Sequence, residues 1–250
     1  MGTFFNSGSS SPGTGPGLIT GNTLTNARRH GIDIENFAAA ADRHDRRLAH
    51  APFTVAFAGR IAPIKDLRTF VSAMRLCAKQ IPDLVVRVLG PDTDDPEYAA
   101  ECRQYVEQTG LGDRVHFEGS VDLSQHLGDV DVLVLTSISE AQPLVVLEAG
   151  AVGVPVVSTE VGACRELLYG DSPADQRLGP GGILTPIASP GATAQAILEL
   201  WRDPQRRRRL GESLQQRVRR HYTATAMLDQ YRDLYATLLQ SSLQPVTTET

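Results

Sequence analysis

The sequence is short of the residues that staple or wire a protein together. It has three cysteines, Cys77, Cys102 and Cys164, an odd number without a CxxC spacing. That argues against a disulfide framework or a structural zinc site and points to a reducing compartment. Its six histidines form neither HxxxH nor HExxH, so no metal site is expected. No apolar run reaches the length of a membrane span. The first residues lack a basic stretch followed by an apolar one, so no secretory signal is expected. Aromatic residues make up 6%, and 24 Lys and Arg against 29 Asp and Glu leave a formal charge of −5. A mildly acidic chain with few aromatics argues against a nucleic-acid partner. Together these absences lead us to expect a cytoplasmic protein.

What is present is enough chain for one sizeable domain. Residues 1–26 are rich in Gly, Ser, Thr, Asn and Pro and cannot bury enough apolar surface to offset ordering. We expect a disordered or artefactual leader there, a linker with one short helix over 27–50, a folded domain over 51–240 and a flexible tail over 241–250. Within the domain, short apolar runs alternate with amphipathic stretches. Strands are expected at Phe53–Ala58, Leu84–Leu89, Val115–Phe117, Val130–Leu135, Val154–Ser158 and Gly182–Leu184. Helical spacing falls at Asp66–Ile81, Pro96–Thr109, Leu123–Leu127, Leu144–Val152, Cys164–Tyr169, Thr193–Arg202, Pro204–Tyr222 and Ala224–Leu239. This alternation predicts an α/β fold, a Rossmann-like doubly wound parallel sheet. Ligands of such folds bind outside the carboxyl ends of the strands.

Two loops at those ends carry chemistry. After the first strand comes Gly59-Arg60-Ile-Ala-Pro-Ile-Lys65-Asp66. Glycine permits a sharp turn, and two cations near the start of a helix suit a pyrophosphate. The plain alternative is a solvated loop with two basic residues. The loop is not GxGxxG, so a dinucleotide fingerprint is unsupported. The second stretch runs from Ser137 through Glu140, Ala141, Gln142 and Pro143 into Leu144–Glu148. Pro143 suits the first turn of a helix. Glu148 is a lone acid on a helix that is apolar nearly all round, and a buried carboxylate is costly without hydrogen bonds. Ribose or sugar hydroxyls would satisfy it; a structural partner such as an arginine is the alternative. Arg206–Arg209 with Arg217, Arg219 and Arg220 reads as a solvated helix face. Asp92, Asp94 and Asp95 read as an acidic turn and helix start rather than a cation site.

The glutamates eight apart are followed by Ala149-Gly-Ala-Val-Gly153-Val-Pro155 and Val161-Gly162-Ala-Cys-Arg-Glu166. This pattern resembles the carboxyl-terminal domain of retaining GT-B glycosyltransferases, the group 1 family that includes sucrose and glycogen synthase-like enzymes. Gly59-Arg60…Lys65 is similar to the family's basic loop, and His30-Gly31-Ile32-Asp33 to its entry into this domain. The resemblance runs from about residue 28 to 240. It implies the carboxyl-terminal half of a GT-B fold and a nucleotide-sugar donor, a UDP-sugar, with no cofactor or metal. By the same resemblance Arg60 and Lys65 neutralise the donor diphosphate, Glu140 touches the transferred sugar and Glu148 binds the ribose hydroxyls. Gly59 and the backbone around Gln142, Leu144 and Val145 belong to the donor site, and Phe117, Gly119 and Val121 flank the base. Where many relatives carry a Gly-Phe or Phe-Gly pair, this chain has Ala141-Gln142. Pro63-Ile-Lys-Asp-Leu, Gly90-Pro-Asp and Leu135-Thr-Ser-Ile-Ser-Glu-Ala-Gln-Pro-Leu resemble glycosyltransferases of exopolysaccharide synthesis more closely. The expected partners are a glycan acceptor and either an amino-terminal GT-B domain or a membrane-bound polysaccharide synthesis complex. One alternative is a truncated nucleotide-sugar-binding module, inactive without that domain. A UDP-sugar epimerase is the other, and the Glu140/Glu148 pattern fits it less well.

Overall fold

The computed structural model describes residues 31–46 and 51–242. The expected leader over 1–26 lies outside them, as do residues 27–30 and 47–50 of the expected linker and residues 243–250. The first described element is a 3-10 turn, Ile34–Phe37, capped by Asp33, whose side chain accepts from the Glu35 amide. It continues into α1, Ala38–Asp45.

Six parallel strands follow: β1 (Thr54–Ala58), β2 (Val85–Leu89), β3 (Val115–Gly119), β4 (Val132–Leu135), β5 (Val156–Thr159) and β6 (Gly182–Thr185). Their order across the sheet is β3-β2-β1-β4-β5-β6. β1, β4 and β5 are buried along their whole lengths, as strands covered by helices on both faces must be. β3 lies at an edge, and only its first residue is buried. The expected Rossmann-like doubly wound sheet is therefore what forms, with each strand within about two residues of its expected bounds.

The helices between strands are α2 (Leu67–Ala78), α3 (Pro96–Gln108), α4 (Leu123–His126), α5 (Leu144–Val152), α6 (Cys164–Tyr169) and α7 (Pro173–Gln176). Three more close the chain: α8 (Pro190–Arg202), α9 (Pro204–His221) and α10 (Ala224–Ser242). Two cores result. Phe57, Phe70, Met74, Val88, Ile197 and Leu200 fill one face, under α2, α3 and α8. Leu133, Leu147, Val152, Leu168, Leu214 and Val218 fill the other, under α5, α6 and α9.

Two expectations need correction. Residues 31–46 are not a free linker: Phe37 and Ala40 join the second core. Ile32 exchanges backbone bonds with the start of α10, donating to Tyr222 at 2.9 Å and accepting from Ala224 at 3.0 Å. Arg217, expected on a solvated face, is completely buried. It donates to Asp175 Oδ1 at 2.7 Å and to the carbonyls of Leu168, Asp175 and Gly179 at 2.9, 3.1 and 2.8 Å. Helix α9 is amphipathic, and Leu210, Leu214, Arg217 and Val218 share its inner face.

Candidate functional site

The sheet order reverses between β1 and β4, so the loops leaving these two neighbours run apart and open a crevice at their carboxyl ends. Both loops predicted from the sequence lie here. The loop after β1 makes a 3-10 turn, Pro63–Lys65, and ends on Asp66 in the left-handed conformation (φ 47°, ψ 56°). Asp66 accepts from the Thr69 amide and so starts α2. The loop after β4 is tied to it. Thr136 Oγ1 donates to the carbonyls of Lys65 and Asp66 at 3.1 and 3.0 Å, and the Ile138 amide to Ile64 at 2.9 Å.

These ties bring Lys65 and Glu140 together across 75 residues of chain. Lys65 Nζ donates to Glu140 Oε1 at 2.5 Å. Ser137, fully buried, donates its hydroxyl to the same oxygen at 2.6 Å. Thr159 Oγ1 at the end of β5 donates to the Ser137 carbonyl at 2.6 Å. Gly162 presses against this loop from the far side. Its φ is +50°, and a Cβ there would lie 2.2 Å from the Glu140 carbonyl oxygen. Gly162→Ala is expected to cost about 1–3 kcal/mol and to displace Glu140, measurable as a lower melting temperature with weaker nucleotide binding.

Helix α5 starts beside this pair. Pro143 takes the N-cap position, one residue earlier than the first-turn place expected, with φ −73° and ψ 110°. Proline has no side chain that can cap, so no side-chain cap bond forms at this helix start, and its first turn carries no acid to offset the positive end of the helix dipole. Leu144 is exposed, whereas the rest of the helix is buried except for Val145 and Glu148, which are half-buried. Burial raises the Glu148 carboxyl above its ordinary range, and the nearby Asp122 charge adds to this. No described residue donates a hydrogen bond to Glu148 or forms an ion pair with it. The arginine partner considered as an alternative does not occur among the described residues.

Arg60 stands further out and pairs with Asp94 of the loop after β2 at 2.5 Å. Its neighbours in that acidic turn are engaged separately. Asp92 pairs with Arg103 at 2.8 Å, and Asp95 caps α3 by accepting from the Tyr98 amide. Among the described residues no group of acids, histidines or cysteines could hold a metal ion. Gly59 and Gly90 lie back to back. A Cβ on Gly90 would meet the Gly59 carbonyl oxygen at 2.0 Å, so the β1 and β2 loops touch backbone to backbone.

The residues expected to flank a base divide. Val121 packs with the α5 core, and Gly119 accepts from the Gly90 amide at 2.8 Å, so both sit at or just past the carboxyl end of β3. The Phe117 ring points to the other face of the sheet, against the α3 core and 4.2 Å below the Arg103 guanidinium. Side chains alternate along a strand, which leaves Glu118, not Phe117, on the face of α5. Glu118 forms a two-pronged bridge with Arg87 at 2.5 and 2.7 Å, and His126 Nδ1 lies 2.6 Å from Arg87. The Arg87 hydrogen bonds hold the Glu118 carboxyl below its usual range. Sequence reasoning missed this cluster, although a lone arginine inside Val85–Leu89 was its signal.

Cavity size does not mark the crevice. A cavity of about 330 Å³ lies at the opposite, amino-terminal edge of the sheet, lined by Phe53, Asp131, Trp201 and Arg207 among others. Another of about 380 Å³ lies along the edge at β3, beside Arg103 and Phe117. We place the candidate site at the crevice because the unpartnered acid, the cations and the uncapped helix converge there.

Residues 52–203 match the family model described as glycosyl transferases group 1. The D-inositol 3-phosphate glycosyltransferase of Paenarthrobacter aurescens is 31% identical over 84% of this chain and 52% of its own length. The sucrose-phosphate synthase of Thermosynechococcus elongatus superposes with a TM-score of 0.69 at 30% identity, over 85% of this chain and 52% of that one. The Anabaena protein HepE, solved in complex with UDP-glucose, superposes with a TM-score of 0.71 at 22% identity, over 83% of this chain and 56% of that one. This chain thus spans about half the length of the curated relatives it matches. A match over most of the sheet, with the same strand architecture, places the chain in the group 1 family of glycosyl transferases.

Proposed function

We propose that this chain is the nucleotide-sugar-binding domain of a retaining GT-B glycosyltransferase, that its donor is a UDP-sugar, and that the whole protein serves exopolysaccharide synthesis in the cytoplasm. The observation that carries the donor reading is Glu148, a half-buried carboxylate without a hydrogen-bond partner among the described residues, beside the Lys65–Glu140 pair and a helix start without a side-chain cap. A ribose diol answers the first and a diphosphate the other two. UDP-glucose bound to HepE supports the choice of nucleotide. The exopolysaccharide role rests on the resemblance of Pro63–Leu67 and Leu135–Leu144 to PelF, the glycosyltransferase of Pel synthesis. Buried, unpaired Cys77, Cys102 and Cys164 agree with a reducing compartment.

In this reading Arg60, Lys65 and the α5 amides stabilise charge developing on the departing diphosphate, and Glu140 contacts the transferred sugar. Catalysis rests on position and electrostatics rather than on a protein nucleophile. The acceptor site belongs to an amino-terminal domain or to a membrane-bound complex. Because the chain spans half of its relatives, we expect it to bind the donor without transferring the sugar by itself.

Thermal unfolding with UDP, ADP and GDP tests the reading. UDP at a hundred times its dissociation constant should stabilise the chain by about 2.7 kcal/mol, with smaller effects from ADP and GDP. No shift with any of the three would end the proposal. Sugar transfer by the chain alone would overturn the binding-module part.

A further inference from the structure

Three acids around the crevice, Glu148, Glu140 and Asp94, stand in different relations to the cations. Glu148 has no cationic partner among the described residues. Glu140 pairs with Lys65, and the hydroxyls of a sugar offer it new donors once a phosphate takes Lys65. Asp94 pairs with Arg60, and nothing in the donor reading gives it a replacement. We infer that Asp94 is a specificity-determining residue of the diphosphate subsite, an internal counter-anion that competes with the donor for Arg60. This rests on the donor-site reading above.

The geometry carries the inference. Asp94 Oδ2 lies 2.5 Å from Arg60 Nη1, so its charge largely cancels the guanidinium for any anion that approaches. Gly59 and Gly90 hold the two loops in backbone contact, which keeps the acid beside the base. Helix α3 is capped by Asp95, not Asp94, and among the described residues Arg60 is the partner of the Asp94 side chain. A diphosphate reaching Arg60 must displace the carboxylate or bind beside it, and either lowers affinity. The penalty grows with ligand charge. UDP ends in a terminal phosphate and carries more negative charge than UDP-glucose, so Asp94 disfavours the product-like nucleotide more than the sugar-bearing donor.

Calorimetric titration of the full chain with UDP and with UDP-glucose at low salt tests this. An exposed ion pair is a modest competitor, so Asp94→Asn should tighten UDP by about two- to fivefold and UDP-glucose by less. The gap should narrow as salt is raised. Asp92→Asn removes the same charge from the same loop but leaves Arg60 paired, because Asp92 engages Arg103; it should leave UDP affinity nearly unchanged. Asp94→Asn added to Arg60→Ala should give no gain over Arg60→Ala alone. UDP binding that is unchanged or weakened by Asp94→Asn overturns the inference, and so does an equal gain from Asp92→Asn. Equal tightening of UDP and UDP-glucose overturns the specificity role. Absence of UDP binding in wild type and Asp94→Asn alike defeats the donor reading itself, which separates the two failures.

Discussion

Arg217→Ala is expected to remove about 3–5 kcal/mol of stability, the usual consequence of deleting one partner of a buried ion pair. The side chains of Arg217 and Asp175 are both fully buried. The guanidinium also satisfies the carbonyls of Leu168 and Gly179. Alanine would take the 2.7 Å guanidinium partner from the Asp175 carboxylate and a hydrogen bond from three carbonyls at once, leaving His221 at 3.9 Å as a neighbour of that carboxylate. Since a domain of this size has only about 5–15 kcal/mol in total, the variant should melt roughly 10 °C lower and be partly unfolded at physiological temperature. Combining Arg217→Met with Asp175→Ala removes the stranded charge as well. It should recover part of the loss, because the desolvation penalty goes with the pair. Urea denaturation of the single and double variants measures both effects; equal stability of wild type and Arg217→Ala would contradict the role given to this pair. The arginine spans the loop between β5 and β6 and helix α9, so we expect it to affect folding and not the donor site directly.

The second large effect concerns Glu148. Glu148→Gln should weaken UDP binding by roughly ten- to a hundredfold, the range for losing hydrogen bonds to a charged group. The same change should make the free protein more stable at neutral pH. The sign follows from the raised carboxyl of Glu148, whose cause is burial. Below the ordinary carboxylate range the group is protonated in both the folded and unfolded chain, and wild type and variant should be equally stable. As pH rises through the ordinary range toward the raised value, the unfolded chain ionises first, and the folded wild type loses stability relative to Glu148→Gln. At neutral pH the variant should be ahead by about 0.5–2 kcal/mol, as is common when a strained functional group is removed. UDP affinity of wild type should fall in acid as Glu148 protonates, with a midpoint above that of an ordinary glutamate. Thermal melts and UDP titrations over the same pH series report the two signs together. A variant that is both less stable and unchanged in binding would make Glu148 a structural acid.

Much of this arrangement was legible locally. Phe53–Ala58 and Val130–Leu135 announced strands because apolar runs of that length, closed by glycine or a turn, have few other uses. Glu148 stood out because an acid on an apolar helix needs an explanation wherever the helix goes. The burial of Arg217 was not legible, since its partner lies 42 residues away in the chain and only the return of α9 against α6 and α7 brings them together. Residues 31–46 looked like a linker for a similar reason: Phe37 and Ala40 bury themselves only against a core assembled from distant helices.

The candidate-site residues divide along the same line. The sequence by itself determined the alternation of strands and helices, the two loops that carry Arg60, Lys65 and Glu140, and the oddity of Glu148. These depend on residue type, spacing and glycine placement, all of which are properties of short segments. Only the tertiary structure decided which acid answers which base. Lys65 meets Glu140 because β1 and β4 are neighbours at the point where the sheet order reverses. Arg60 meets Asp94 because β2 lies on the other side of β1. Phe117 turns away because the pleat of β3 assigns its face to α3. Charge pairing across loops is set by strand order and strand face, and neither is encoded in any one segment.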